Sequence, residues 1–226
     1  MISQIKERLK KEIYPLLVKF GLGTKRAYLY LAEEIPGWVT AEELLQKWEY
    51  SLKLPDNPVI VEIGAFLGRS TIVTAGARKV KGSGIVHVID PFDASGDAFS
   101  VPVYKDIESK LPGELFDQFK ENIKAAGLSD YVIVHRGYDY TVICDWHEKI
   151  DMLILDGDQS PVGAKRAYDE WNPFLKSGGI LIVHNSADRV YGTDHDGHRR
   201  IVLDSVKEPD YCKVKCVRMT TFAVKK

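Results

Sequence analysis

Five short apolar runs, most of them closing on a glycine, an acid or a histidine, constrain this chain more than any other feature. Residues 59–63 end at Gly64, 85–89 at Asp90, 152–155 at Asp156 and 180–183 at His184 and Asn185, with a further run at 131–134. Helical patterns occupy 70–81, 115–126, 141–146 and 163–175. Near-continuous apolar strands alternating with helices build a parallel sheet covered on both faces. After a last helical stretch at 198–206, runs at 211–217 and 221–224 are joined too closely for a parallel crossover. They must pair antiparallel. The expected architecture is α/β, a doubly wound seven-stranded mixed sheet whose last strand pair is antiparallel.

The segment before the first strand has a different pattern. Ile2, Ile5, Leu9, Ile13, Leu16 and Leu17 recur at helical spacing, with Pro15 near the end and Gly21 and Gly23 stopping the helix. A second helix is expected over 24–34. Thr40 with Glu43 forms a capping-box pattern that opens a third. Residues 1–54 therefore read as an N-terminal helical extension and 55–226 as the sheet domain. The extension is expected to close a pocket from above or to pair two copies in a homodimer.

Composition removes several alternatives. Lys plus Arg total 31 and Asp plus Glu 32, a formal charge of -1, so there is no strongly basic field for a nucleic-acid partner or an acidic membrane surface. No apolar run approaches the roughly 18 residues of a membrane span, and the first residues lack the apolar core of a signal peptide. The three cysteines, Cys144, Cys212 and Cys216, are too scattered for a disulfide framework. A cytoplasmic, reduced protein is expected. Cys212 and Cys216 share a face if they lie on one strand, and core packing is favoured there over a metal pair.

In an open α/β sheet, ligands bind beyond the carboxyl ends of the strands, where the strand order reverses. The first strand runs into Glu62, Gly64, Phe66, Gly68 and Ser70. Glycines permit a tight turn and close approach of a ligand, and Ser70 is placed to cap the following helix, whose N-terminus favours negative charge. Asp90 lies 26 residues beyond Gly64. A carboxylate there suits a ribose diol, since it only accepts and the diol donates twice. The dinucleotide fingerprint G-x-G-x-x-G is absent, which counts against an NAD-dependent oxidoreductase.

These residues resemble motif I of class I S-adenosylmethionine-dependent methyltransferases, with a Rossmann-like fold. The likeness is to small-molecule O-methyltransferases of the catechol and macrocin types and their cephalosporin-hydroxylase-like relatives, and it runs from Pro36-Gly37-Trp38 to Val206. Its later anchors include Asp90-Pro91-Phe92, Gly137, Asp156-Gly157-Asp158 and Gly197 to Val202. The resemblance implies that Glu62, Gly64, Phe66, Gly68, Ser70, Asp90, Gly137, Asp139 and Asp156 surround S-adenosylmethionine. From the residues alone, Phe66 also fits a core position and Asp139 a helix cap.

The same likeness implies methyl transfer to a hydroxyl of a small molecule, a sugar or specialised metabolite, with no nucleic acid and no membrane as partner. His184 is the expected general base and Asp158 the second candidate, because imidazole titrates near neutral pH. Asp156, Asp158 and Asn185 could supply oxygens to a divalent metal such as Mg²⁺. His184 and Gln159 depart from the metal-dependent pattern, so both a metal-bound and a metal-free site stay open. A protein that binds the cofactor without catalysis is the other alternative. Residues 91–112 are long for a connection, and Phe92, Phe99, Val101, Val103 and Tyr104 suggest a substrate-binding insertion. The charged stretch 188–200 follows the fifth strand and is placed to overhang the site.

Overall fold

The computed structural model describes the backbone of residues 2–226 and side chains from residue 11 onward. Three helices lead: α1 (Ile2–Lys19), α2 (Lys25–Glu33) and α3 (Ala41–Lys53). The apolar stripe expected from Ile2, Ile5 and Leu9 lies outside the described side chains. Pro15 sits inside α1 without ending it. Thr40 and Glu43 form the expected capping box of α3.

The sheet comprises β1 (Val59–Ile63), β2 (Ile85–Asp90), β3 (Val132–Arg136), β4 (Ile150–Leu155), β5 (Leu175–Val183), β6 (Tyr211–Val217) and β7 (Thr220–Lys225). Its order is β3-β2-β1-β4-β5-β7-β6. β1 to β5 are parallel, and β7 pairs antiparallel with both β5 and β6. This is the expected Rossmann-like mixed sheet. The chain builds outward from β1 through β2 to β3, then returns to place β4 on the other side of β1. The reversal opens a crevice between the ends of β1 and β4.

Alternating side chains divide between two cores. Ile60, Met152 and Ile182 face one core together with Ala27, Leu44 and Trp48 of the leading helices. Val61, Leu153 and Leu181 face the other, with Ala164 and Trp171 of α8 (Pro161–Trp171) and Ile201 of α9 (Gly197–Ser205). α2 and α3 pack on α4 (Arg69–Lys81), so the leading helices share a core with the sheet. Ser51 Oγ donates to the Thr74 carbonyl at 2.9 Å, and the buried Arg78 guanidinium donates to the Ser51 carbonyl at 2.6 Å.

Some local expectations change. The long connection after β2 holds a helix, α5 (Val101–Glu108), before α6 (Leu115–Ala125). The stretch expected as a helix over 141–146 is a single turn, α7 (Asp139–Val142), followed by a 3-10 turn. β5 starts at Leu175, where the sequence pattern had continued the preceding helix. Cys216 is exposed and Cys212 only half-buried, which corrects their reading as core residues. The β6–β7 register shifts between Cys212 and Lys215, with Lys213 at φ 51°, and the bulge breaks the alternation that would have put both thiols on one face.

Candidate active site

A cavity of about 840 Å³ lies over the strand ends at the β1/β4 reversal, a volume suited to a small-molecule site. Gly64, Phe66, Ser70, Asp90, Asp139, Asp156, Asp158, His184 and Asn185 all line it. Glu62, Gly68 and Gly137, expected as cofactor contacts, stand outside its wall. Glu62 is fully buried beneath the floor because it faces the core under α4. There its carboxylate accepts from Ser70 Oγ and, at 2.5 Å, from Thr71 Oγ1. Burial drives the Glu62 carboxyl above its ordinary value, while the two hydroxyls and the Lys47 charge oppose that shift.

Ser70 therefore does not cap α4 as its position suggested. The cap residue is Gly68, with φ +88°, and among the described residues no side chain caps the first amides of the helix. That leaves an N-terminus suited to an anionic group. Gly64 has φ +85°, and a Cβ there would collide with the Asp156 carbonyl. Only glycine lets the turns after β1 and β4 approach this closely.

Asp90 binds the turn from the side. Its Oδ2 accepts from the amides of Ala65 at 2.8 Å and Phe66 at 2.9 Å, and its Oδ1 from Phe92 at 2.7 Å. Burial raises the Asp90 carboxyl above its ordinary value against the pull of those three amides. A carboxylate has about four acceptor positions, so capacity remains for a ligand hydroxyl. Asp139 is not a helix cap; it accepts from Arg166 at 3.4 Å through Oδ1, while its buried Oδ2 has no partner. Arg166 lies over the Tyr140 ring at 4.2 Å, and Tyr138 stacks on Tyr140 at 5.2 Å. The open acceptor of Asp139 beside flat aromatic surface suits the amine of a purine. Together with Asp90 and the uncapped α4, it fits an adenosyl cofactor with a carboxylate tail.

On the other side of the crevice, His184 Nδ1 lies 2.6 Å from Asp156 Oδ1. Burial alone would raise the Asp156 carboxyl, but His184, Lys47 and His198 outweigh it and hold it below its ordinary value. A carboxylate opposite Nδ1 fixes the proton there and leaves Nε2 as the free base position. Nε2 is buried and has no hydrogen-bond partner. His198 Nδ1 donates to the His184 carbonyl at 2.8 Å, and burial pushes the His198 imidazole down to about 4.

The metal reading fits poorly. Asp156 is committed to His184, and Asp158 Oδ1 accepts from the Ser160 amide at 2.9 Å, tying the turn before α8. Asn185 Nδ2 donates to Gln159 Oε1 at 2.9 Å. Among the described residues no group of three or more His, Cys, Asp or Glu is placed to hold a metal ion.

Aromatic rings complete the wall. The rings of Trp38, Phe66 and Tyr104 converge from three chain segments, with centroids 5.2 to 5.6 Å apart. Trp38 belongs to the α2–α3 linker, where no local pattern marks a wall residue. Of the aromatic and apolar insertion residues, Phe92, Phe99, Val103 and Tyr104 reach the cavity and Val101 does not. His195 Nδ1 lies 3.1 Å from the buried Asp97 Oδ1, and the His195 ring lies 4.7 Å from that of Phe99. This contact clasps the loop after β2 to the loop after β5 across the cavity.

Comparisons with known proteins bear on the fold and the family. Among solved structures, the O-methyltransferase NovP is 15% identical over 84% of this chain and 83% of its own, with a TM-score of 0.63. TomG from Streptomyces achromogenes, an O-methyltransferase involved in tomaymycin synthesis and solved with SAM, is 17% identical over 88% and 89%, with a TM-score of 0.58. An rRNA methylase from Streptococcus thermophilus is 12% identical over 80% and 94%, with a TM-score of 0.55. At such identities the likeness establishes the fold alone. The sequence profile of a family described as "Methyltransferase domain" matches residues 61–186, more than half of the chain. The chain therefore belongs to this methyltransferase-domain family, on the class I S-adenosylmethionine-dependent fold.

Proposed function

We propose that this methyltransferase moves the methyl group of S-adenosylmethionine to a hydroxyl of a small molecule, with His184 as general base. The observation that carries the proposal is the His184–Asp156 pair at 2.6 Å, with His184 on the cavity wall and its buried Nε2 without a hydrogen-bond partner. When bound, the cofactor supplies a methyl group already activated on a sulfonium. What remains for the protein is to align an oxygen and remove its proton. His184 takes that proton at Nε2, and Asp156 stabilises the resulting imidazolium through the Nδ1 proton. Asp158, engaged with the Ser160 amide, is the second candidate. Gly64, Phe66, Ser70, Asp90 and Asp139 hold the cofactor, with Glu62 setting Ser70 from below.

The cavity wall favours a small acceptor over a polynucleotide. Asp90, Asp93, Asp139, Asp156 and Asp158 line it against Arg69, Arg166 and Arg189. Arg69 is spent on backbone carbonyls and Arg166 on Asp139. A polyanion would meet little free positive charge there. Trp38, Phe66 and Tyr104 give instead an apolar wall. Among the described residues no helix is long and apolar enough to cross a membrane. The leading helices, residues 1–54, serve in this reading as the cover of the acceptor side; their exposed Ile13, Leu16 and Phe20 suit self-association.

The test is a screen with methyl-labelled S-adenosylmethionine against fractionated small metabolites and, in parallel, ribosomal RNA. Label is expected in a small-molecule fraction and to be lost in His184→Ala. Label confined to RNA would overturn the acceptor assignment.

A further inference from the structure

Arg69 is the first residue of α4, directly after the glycine turn that meets the cofactor side of the cavity. Its side chain turns away from the charged groups of the site. Nε donates to the Val39 carbonyl at 2.9 Å, and Nη1 donates to the carbonyls of Ile35 at 2.8 Å and Glu33 at 3.1 Å. All three acceptors belong to the end of α2 or to the linker between α2 and α3. The guanidinium therefore spans that linker as a fork, a geometry a single ammonium cannot copy. Gly37 accommodates it: a Cβ there would lie 2.8 Å from Arg69 Cδ.

What the fork holds is Trp38. That ring is 46% exposed in the described structure, yet it lines the cavity and meets Phe66 and Tyr104 at 5.6 and 5.2 Å. Phe66 belongs to the turn that bonds Asp90, with φ 51°. One side chain thus joins the first turn of the cofactor helix to the wall on the acceptor side.

We propose that Arg69 is a positioning residue that couples cofactor binding to construction of the acceptor wall. Ordering the β1–α4 turn around the cofactor steadies the linker, and with it the Trp38 ring on the acceptor wall. This rests on the assignment of S-adenosylmethionine as cofactor. It implies that bound cofactor strengthens binding of the acceptor.

Hydrogen exchange on the full chain, with and without saturating S-adenosylmethionine, tests the coupling without needing the acceptor. In the wild type the cofactor should slow exchange of the peptide spanning residues 33–40 by about tenfold, as a local opening is suppressed. Arg69→Met should reduce that slowing to below about twofold and Arg69→Lys should restore part of it, since one ammonium replaces a three-bond fork. Calorimetry on the same samples should show the cofactor still binding to Arg69→Met, weakened by no more than about the same tenfold, because coupling is reciprocal. Gly37→Ala disturbs the fork from the other side and should reproduce the loss, which covers the case in which Arg69→Met does not fold. Undiminished slowing in the folded variants, or binding without slowing in the wild type, overturns the coupling alone. No binding in the wild type overturns the functional reading and the coupling together.

Discussion

His184 and Asp156 leave adjacent parallel strands on the same face of the sheet, and their side chains meet at 2.6 Å through Nδ1 and Oδ1. The register that pairs Leu155 with Val183 puts the next residue of each strand at the same height. Strand alternation then turns both side chains toward the α3–α4 layer. The pair is a consequence of sheet geometry, not of a flexible loop.

His184→Ala should lower kcat by about 10²–10⁴, the usual worth of a positioned base. The dissociation constant for S-adenosylmethionine should stay within about threefold, since the base acts on the acceptor's proton in the transition state and not on bound cofactor. Single-turnover kinetics with the acceptor from the labelled screen, alongside calorimetry, separates the two. Equal losses in binding and turnover would place His184 in cofactor binding.

Asp90→Ala should abolish measurable cofactor binding. It removes a charged acceptor whose hydrogen bonds are worth about 1.5–3 kcal/mol each, and it releases the amides of Ala65, Phe66 and Phe92. The same variant should unfold at lower urea concentration than wild type. Retained binding would argue that the adenosyl group lies elsewhere in the cavity.

Acid should destabilise the fold through His198. Its imidazole is held at about 4 in the folded chain against an ordinary 6.5, so the unfolded chain binds more protons between those values. Stability is therefore full above about pH 6.5 and falls as pH drops toward 4, by about 3 kcal/mol at most for this group. His87 and His135, also lowered by burial, act in the same direction. Urea unfolding midpoints between pH 7.5 and 4.5 check this, and His198→Asn should flatten the curve.

Mg²⁺, Mn²⁺ and Zn²⁺ should leave the melting temperature unchanged at millimolar concentration, because an ion that binds only the folded chain would raise it. The hydrogen bonds of Asp156 to His184 and of Asp158 to the Ser160 amide motivate this expectation. A rise with one ion, lost in Asp158→Asn, would restore the metal reading.

The strand-end residues were legible in the sequence because they follow local patterns. Gly64, Asp90, Asp156 and His184 each close an apolar run, and the fold rule carries them to one crevice. Glu62 and Ser70 show the limit of that reasoning. The sequence places both beside the cofactor, but a buried carboxylate drew the Ser70 hydroxyl inward and left α4 without a side-chain cap. The fork of Arg69 and the Asp97–His195 clasp join residues 30 to 98 positions apart. No periodicity announces such contacts. Cys216 followed strand alternation on paper and lost it to a bulge whose only local sign is the backbone angle of Lys213.

The β1/β4 crevice is the proposed seat of S-adenosylmethionine. Titration calorimetry of the wild-type chain with S-adenosylmethionine, S-adenosylhomocysteine and NAD tests it most directly. One saturable site is expected for each adenosyl ligand, lost in Asp90→Ala, with no heat of binding from NAD. Binding of NAD, or of neither adenosyl ligand, would contradict it.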